Sequence, residues 1–409
     1  MKIGIIRETK VPEDNRVALT PEQIVALRHT FPGTEFKVQS SSIRAYTDDA
    51  YRQSGIAVVD SLDDCDVLFG IKEVKLEALL PGKHYFFFGH LAKFQKHNQA
   101  LLQKLIASGI TFSDYEYLVD EQNQRLSSFS WWAGFVGAYN TLRGYGLRSG
   151  AFTLPATDRN FTMEHAYKLT DGLARFPLKI IITGSGRASE GAQHLIRHIG
   201  FQELSPREFL TRPRESGAFY AYLKVEDMLQ HKSHPEQPFS FSDLTQNPTH
   251  YKSCFAPWAF AADVLLVCHF WDPASPIHLT KEQLRDKNMR LQIIGDVTCD
   301  IPGSIQSTLR ASTHSEPYYD YNPQSEQEEP AFSSPKNITC MAVDTLPNAM
   351  PLDASRSFGE ALTKIVFPRL LDKYLDDPVI AGATIVRDGE LTPKFAYLSD
   401  FAAGRGCDS

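Results

Sequence analysis

Short apolar runs separated by polar, turn-rich stretches set the rhythm of the first 140 residues. Lys2–Ile6, Glu35–Val38, Val67–Ile71, Tyr85–Phe88 and Thr111–Tyr115 read as strands, with Phe86-Phe87-Phe88 as core. Thr20-Pro21-Glu22-Gln23-Ile24 opens a helix, with Thr20 as N-cap, Pro21 at the first helical position and an acid in the first turn. A second helix runs from Thr47 to Ser54, capped by Thr47 ahead of Asp48 and Asp49, and a third from Lys96 to Ser108. Strands alternating with helices predict a parallel sheet. Residues 130–148 read as one long helix, in which Ala133, Gly134, Gly137 and Ala138 leave room for close packing.

The pattern then repeats with new strands at Lys179–Thr183, Glu203-Leu204, Asp263–His269, Leu291–Val297 and Ile338–Ala342. The first runs into Gly184-Ser185-Gly186-Arg187-Ala188-Ser189 and a helix. A strand, a glycine turn and a helix N-terminus form a dinucleotide pyrophosphate site, because the glycines let the backbone approach and the helix start offers free N–H groups. Ser189 stands where the third glycine of GxGxxG would be. A stretch from about 206 to 253, rich in Pro, Ser, His and Gln, is expected to be an insertion of exposed loops around one strand at Phe219–Val225. Thr313–Lys336 is expected to be a second polar excursion, and Ala354–Leu371 a helix. The resulting expectation is an α/β protein of two Rossmann-like domains with parallel sheets and an active site in the inter-domain cleft. Residues 1–140 plus 346–409 would form a discontinuous catalytic domain, and 141–345 the dinucleotide domain.

Composition narrows the function. At 409 residues the chain exceeds one ordinary core. With 42% apolar and 22% charged residues it has a globular composition, and its net charge of −7 gives no reason to expect nucleic acid. Cys65, Cys254, Cys268, Cys299, Cys340 and Cys407 show no metal-type spacing, so no metal is expected. The start of the chain lacks a signal-peptide apolar region, and the longest apolar stretch, Ala259–Trp271, is too short for a membrane span. A cytoplasmic protein without a membrane partner is expected. Arg16, Lys72, His90, Glu116 and Arg125 fall on the loops after strands, where open sheets carry their sites. Two arginines suit carboxylate ligands, and a lysine beside another cation suits acid–base work.

Several segments, in order, carry a family resemblance. Arg7-Glu8-Thr9-Lys10, Asn15-Arg16-Val17-Ala18-Leu19-Thr20-Pro21, Gly70-Ile71-Lys72-Glu73, Phe88-Gly89-His90 and Asp114-Tyr115-Glu116 resemble the alanine dehydrogenase / saccharopine dehydrogenase superfamily. Phe129-Ser130-Trp131-Trp132-Ala133-Gly134, the glycine turn, Gly295-Asp296-Val297-Thr298-Cys299-Asp300-Ile301-Pro302-Gly303-Ser304 and Val343-Asp344-Thr345-Leu346-Pro347 narrow it to the lysine-forming saccharopine dehydrogenases and lysine–ketoglutarate reductases. The resemblance implies reversible reductive condensation of L-lysine and 2-oxoglutarate to saccharopine with a nicotinamide cofactor. It implies Lys72 and His90 as the acid–base pair, Arg16 and Arg125 as carboxylate binders, Lys93 and Glu116 as charges that tune the pair, and Phe129 as a further substrate contact. On the cofactor side it implies Gly184, Ser185, Gly186 and Arg187 at the pyrophosphate, His269 and Phe270 along the crevice, and Val297, Thr298, Cys299 and Asp300 by the nicotinamide. Where the NAD-using fungal members end the second nucleotide strand in an acid, this chain has Ser205 and Arg207, which favours NADP(H), while Glu203 leaves NAD(H) open. Partners would be small-molecule substrates, and the protein a monomer or small homo-oligomer. An alanine dehydrogenase-like or other opine-type activity, or a non-catalytic dinucleotide-binding regulator, are the competing readings.

Overall fold

The computed structural model describes residues 1–94 and 96–405, apart from the side chains of Lys93 and His97. Cys407 lies outside the described residues. The chain divides into two compact units, one of residues 1–129 and 351–409 and one of residues 130–350. Each is built on its own eight-stranded sheet.

In the first unit, β1 (Lys2–Ile5), β2 (Glu35–Gln39), β3 (Ala57–Val59), β4 (Val67–Phe69), β5 (His84–Phe87) and β6 (Thr111–Asp114) lie in the order β3-β2-β1-β4-β5-β6, all parallel. Thr384–Arg387 and Glu390–Leu391 extend the sheet antiparallel beyond β6, so it is mixed rather than purely parallel. Helix α1 (Pro21–Thr30) begins with Thr20 and Gln23 in a reciprocal capping box. Helix α2 (Asp48–Gln53) is capped by the Thr47 side chain, and α3 (Gln99–Ala107) buries Leu101, Leu102 and Leu105. The strand order reverses direction between β1 and β4, and the loops leaving their carboxyl ends open at that point.

The second unit starts with α4 (Ser130–Ser149), followed by the short α5 (Met163–Thr170). Its parallel strands are β7 (Leu178–Thr183), β8 (Gln202–Glu203), β9 (Ala218–Leu223), then β12 (Val264–Val267), β13 (Ile293–Asp296) and β16 (Ile338–Met341), after a separate antiparallel pair, β10 (Leu229–His231) with β11 (Tyr251–Ser253). The order is β8-β9-β7-β12-β13-β16, continued antiparallel by β14 (Tyr318–Asn322) and β15 (Gln327–Glu329). Two expectations need correction. The strand expected within 206–253 is present as β9, but it belongs to the sheet, buried directly against β7 over six registered pairs, and is not part of a loop insertion. Likewise, Thr313–Lys336 is a hairpin whose Tyr318, Tyr319, Asp320 and Tyr321 are buried against β16. Alternating aromatic side chains supplied the strand signal there, but flanking Pro, Ser and Glu masked it.

α4 and α6 (Arg187–Ile199) pack so closely that glycine is required on both. A Cβ at Gly191 would overlap the Trp131 carbonyl oxygen, and one at Gly134 the Ala188 carbonyl oxygen. A mid-helix glycine costs about 1 kcal/mol against alanine. Here the overlap outweighs it, since overpacking costs about 1–3 kcal/mol and backbone atoms cannot turn aside. Gly191→Ala is therefore expected to lower stability by more than about 1 kcal/mol in urea or thermal unfolding. Gly33→Ala, which faces open space, is expected to change it by less than about 0.5 kcal/mol.

Candidate active site

Loops from β1, β4, β5 and β6 assemble a charged centre within the first unit. Glu8, just past β1, is buried, and its two carboxylate oxygens accept the N–H groups of Ile71 (2.7 Å) and Lys72 (2.9 Å). This fixes the backbone on which Lys72 stands. The Tyr115 hydroxyl holds the same loop by donating to the Gly70 carbonyl at 2.9 Å. Burial, with the charge of Asp14, pushes the Glu8 carboxyl up to about 8, against the pull of the two amides and Arg16.

Arg16 is 3% exposed and lies 4.2 Å over the Phe129 ring. Its Nε and Nη2 bind Asp14 at 2.9 and 2.5 Å. The expected open carboxylate fork is thus largely taken by Asp14, a residue whose sequence context gives no hint of a site role. Burial pushes the Asp14 carboxyl up, but the charge and hydrogen bonds of Arg16 hold it below the usual range. Phe129 stacks on Phe358 at 4.5 Å, which fixes the ring beneath the guanidinium.

Lys72 is half-buried beside this pair, and among the described residues its ammonium makes neither a hydrogen bond nor an ion pair. Burial first, and then the charges of Arg16 and Lys10, draw it below the 10.5 of an ordinary lysine. Lys10 is itself paired with Glu73 at 2.9 Å. His90 adopts a left-handed conformation (φ 52°). Asp114 fastens that turn: its Oδ2 accepts the N–H groups of Gly89 and His90, each at 3.1 Å. The His90 ring sits between two carboxylates, with Nε2 3.9 Å from Glu73 and Nδ1 3.4 Å from Glu116. Nδ1 is buried and, among the described residues, makes no hydrogen bond. Glu116 also meets Arg125 at 3.2 Å. Burial and the Glu116 charge push the Asp114 carboxyl up to about 7. The structure thus brings Arg16, Lys72, His90, Glu116, Arg125 and Phe129 into one unit. The Lys93 side chain lies outside the described residues. Glu8, Asp14, Glu73 and Asp114 escape the sequence pattern as site residues, although Glu8, Glu73 and Asp114 stand inside the motifs that carry the resemblance.

The second unit carries the glycine turn. Gly184 has φ +89°, and a Cβ there would lie 2.8 Å from the His269 Cα. At Gly186 no atom comes within 4 Å of where a Cβ would stand, and no side chain caps the start of α6. Ser185, Gly186 and Arg187 are exposed or partly so. An open glycine surface ahead of uncapped helix N–H groups fits a dinucleotide pyrophosphate. The imidazole of His269 is engaged elsewhere. It bridges Thr183 Oγ1 (2.7 Å) and Ser304 Oγ (2.9 Å), and burial draws it well below the ordinary histidine range. Phe270 beside it is 84% exposed. Val297, Thr298, Cys299 and Asp300 form a tight turn organised by buried Asp296, which accepts from Thr298 N–H, Thr298 Oγ1, Cys299 N–H and Thr308 Oγ1.

Ser205 and Arg207 are corrected. β8 ends at Glu203 on the outer edge of the sheet, and Ser205 caps the short helix α7 (Pro206–Thr211) by pairing with Glu208. The strand beside β7 is β9, so neither residue ends the strand neighbouring the glycine turn. His231, Asp243 and His250 gather ligand atoms within 4.8 Å. However, His231 Nδ1 accepts from the Ser233 and His234 amides. That leaves its proton on Nε2, which suits a hydrogen-bonded cluster rather than a metal. Among the described residues Cys65, Cys254, Cys268, Cys299 and Cys340 form no disulfide. Among the described residues no helix is long and apolar enough to cross a membrane.

Comparison with known proteins gives the chain's similarities. Residues 4–136 match the family described as alanine dehydrogenase/PNT, N-terminal domain. An alpha-aminoadipic semialdehyde synthase of Arabidopsis thaliana is 30% identical over 97% of this chain and 41% of its own length. The chain therefore spans less than half of that relative. A saccharopine dehydrogenase [NAD(+), L-lysine-forming] of Yarrowia lipolytica is 24% identical over 88% of this chain and 90% of its own. Among solved structures, an L-alanine dehydrogenase superposes with a TM-score of 0.67 at 19% identity, covering 98% of this chain and 100% of that one. Residues 4–136 are thus similar to the alanine dehydrogenase/PNT N-terminal domain, and the chain along most of its length is similar to alpha-aminoadipic semialdehyde synthases and saccharopine dehydrogenases.

Proposed function

We propose that the protein catalyses the reversible, nicotinamide-dependent reductive condensation of the ε-amine of L-lysine with 2-oxoglutarate to give saccharopine. The observation that carries this reading is Lys72, a half-buried amine without a hydrogen bond or ion pair among the described residues, drawn toward its neutral form by burial and by Arg16. Similarity to saccharopine dehydrogenases supports the substrate pair.

Condensation begins when the neutral substrate amine attacks the keto carbon and a carbinolamine forms. The new C–N bond takes the amine lone pair, the carbonyl π electrons pass to oxygen, and that oxygen needs a proton. Loss of water then breaks the C–O bond and leaves an imine. Two proton carriers are needed, one to relieve the nitrogen and one to protonate the departing oxygen. Lys72 in its neutral form is suited to accept the first proton. His90, oriented by the Asp114 grip on its turn and flanked by Glu73 and Glu116, is suited to deliver the second. Arg125, 46% exposed, is suited to a substrate carboxylate, and Arg16 acts chiefly through its charge on Lys72. When bound, the reduced dinucleotide supplies the two electrons that saturate the C=N bond. The residues that would hold it are Gly184, Ser185, Gly186 and Arg187, and NADP(H) is the preferred form. The competing activity, ammonia with a smaller oxo acid, is tested in the same assay.

With NADPH, lysine and 2-oxoglutarate are expected to support turnover, and pyruvate with ammonia not to. Loss of absorbance at 340 nm checks this, and the opposite result overturns the substrate assignment. Lys72→Met and His90→Gln are each expected to lower kcat by about 10²–10⁴-fold. Arg125→Ala is expected to raise KM for 2-oxoglutarate with a smaller effect on kcat. Because Lys72 acts as a base when neutral, activity rises with pH as it loses its proton. Removing the Arg16 charge lets the amine keep its proton to higher pH. The ascending limb of the kcat/KM profile is therefore expected to move to higher pH in Arg16→Met, and a limb that stays in place or moves down contradicts this role.

A further inference from the structure

We propose that Lys224 sets the cofactor preference of this protein by binding the 2′-phosphate of an adenine dinucleotide, and that the segment after it walls an apolar cavity for the adenine ring. The inference rests on the dinucleotide-binding reading of the second unit. It gives the NADP(H) preference a different residue from the Ser205 and Arg207 expected from the sequence.

The strand order carries the argument. β9 lies against β7, and the Gly184 N–H donates to the Leu223 carbonyl at 2.7 Å, so the end of β9 is tied to the glycine turn. In open parallel sheets of this kind, the residue just past the strand beside the glycine strand meets the adenosine ribose. That residue is Lys224, a cation whose side chain is about half exposed. Its ion-pair partner Glu226 stands at a long 3.8 Å, with both side chains about half exposed (51% and 48%). The ammonium can therefore turn to a phosphate at little cost. Asp227, a second acid of this segment, is held in the turn: its Oδ2 accepts the Lys224 N–H at 2.8 Å, and its own N–H donates to the Lys224 carbonyl at 3.1 Å. Glu226 is the residue that would favour a bare ribose diol, which makes it the natural counter-test.

Next to Lys224 lies a cavity of about 200 Å³ lined by Val225, Leu229, Phe241, Leu244, Phe270 and Trp271, among others. It opens between the end of β9 and the loop after β12, with Phe241 63% and Phe270 84% exposed at its rim. Large aromatic faces left in water beside an apolar cavity suit a flat heteroaromatic ring, which stacks without needing a particular base edge. Phe241 and Leu244 come from the polar stretch 206–253, on a helix (Phe241–Gln246) whose Leu244 packs with Leu229 and Tyr251. The stretch that reads as loops thus builds one wall of this cavity.

Calorimetric titration of the intact protein with adenosine 2′,5′-bisphosphate and with 5′-AMP reads the adenosine end alone, with no substrate and no turnover. A failure here is therefore distinct from a failure of the proposed reaction. The 2′,5′-bisphosphate is expected to bind more tightly than 5′-AMP. Lys224→Ala is expected to weaken it by about 10–100-fold, the scale of a charge-assisted hydrogen bond, while 5′-AMP changes by less than about twofold. Phe241→Ala is expected to weaken both ligands by a similar factor, with an unchanged melting temperature showing that the fold is kept. Equal affinity of the wild-type protein for the two nucleotides overturns the proposal. So does no binding of either, equal loss of both in Lys224→Ala, or a selective loss of the bisphosphate in Arg207→Ala or gain in Glu226→Ala with none in Lys224→Ala.

Discussion

Lys72 is an amine kept half out of water beside a guanidinium, and the loops of the first unit are arranged around that costly placement. Two cations in a poorly solvated place repel one another, and the repulsion is relieved when one of them gives up its proton. Arg16 is bound on two nitrogens by Asp14, which fixes its charge in place. Burial first, and then this neighbouring charge, weaken the hold of Lys72 on its proton. Removing one partner of a buried ion pair costs about 3–5 kcal/mol, so the Asp14–Arg16 pair is a fixed point from which the neighbouring amine is tuned.

A second constraint is shared by the loops that meet there. Each is gripped by a buried carboxylate that accepts backbone N–H groups. Glu8 holds Ile71 and Lys72, and Asp114 holds Gly89, His90 and Glu116. Asp296 does the same for Thr298 and Cys299 in the second unit. A buried carboxylate needs such donors to be tolerated, and a loop held by one has few other conformations open to it. This explains how His90 keeps a left-handed backbone that a non-glycine residue rarely adopts. The strands bring these loops to their carboxyl ends, and the carboxylates fix them there.

Much of this was legible in the sequence because it depends on local chemistry. Thr20 and Thr47 announced their helices through capping, and the helix from residue 130 showed its close packing through Gly134. The candidate site residues of the first unit stand out because they fall just after apolar runs, and the fold places them in one unit. What the sequence hid depends on spatial order. The strand at Phe219–Val225 is visible in the sequence, but nothing says that it lies between β8 and β7, which puts Lys224 and not Arg207 past the strand neighbouring the glycine turn. The hairpin at Tyr318–Glu329 was hidden in the same way, because its pairing partner lies in β16 and its flanks are polar. Asp14 carries no signal in the sequence, and only the fold shows it as the counter-ion of Arg16.

Burial and Arg16 make Lys72 lose its proton more readily than an ordinary lysine. Competitive labelling measures this directly: a trace of amine-acylating reagent is applied across a pH series, and the fraction modified at Lys72 is read by peptide mass spectrometry against the exposed Lys168. The account predicts that Lys72 titrates below the 10.5 of an ordinary lysine and that Arg16→Met moves its midpoint upward. A Lys72 midpoint equal to that of Lys168, unmoved by loss of Arg16, would contradict it.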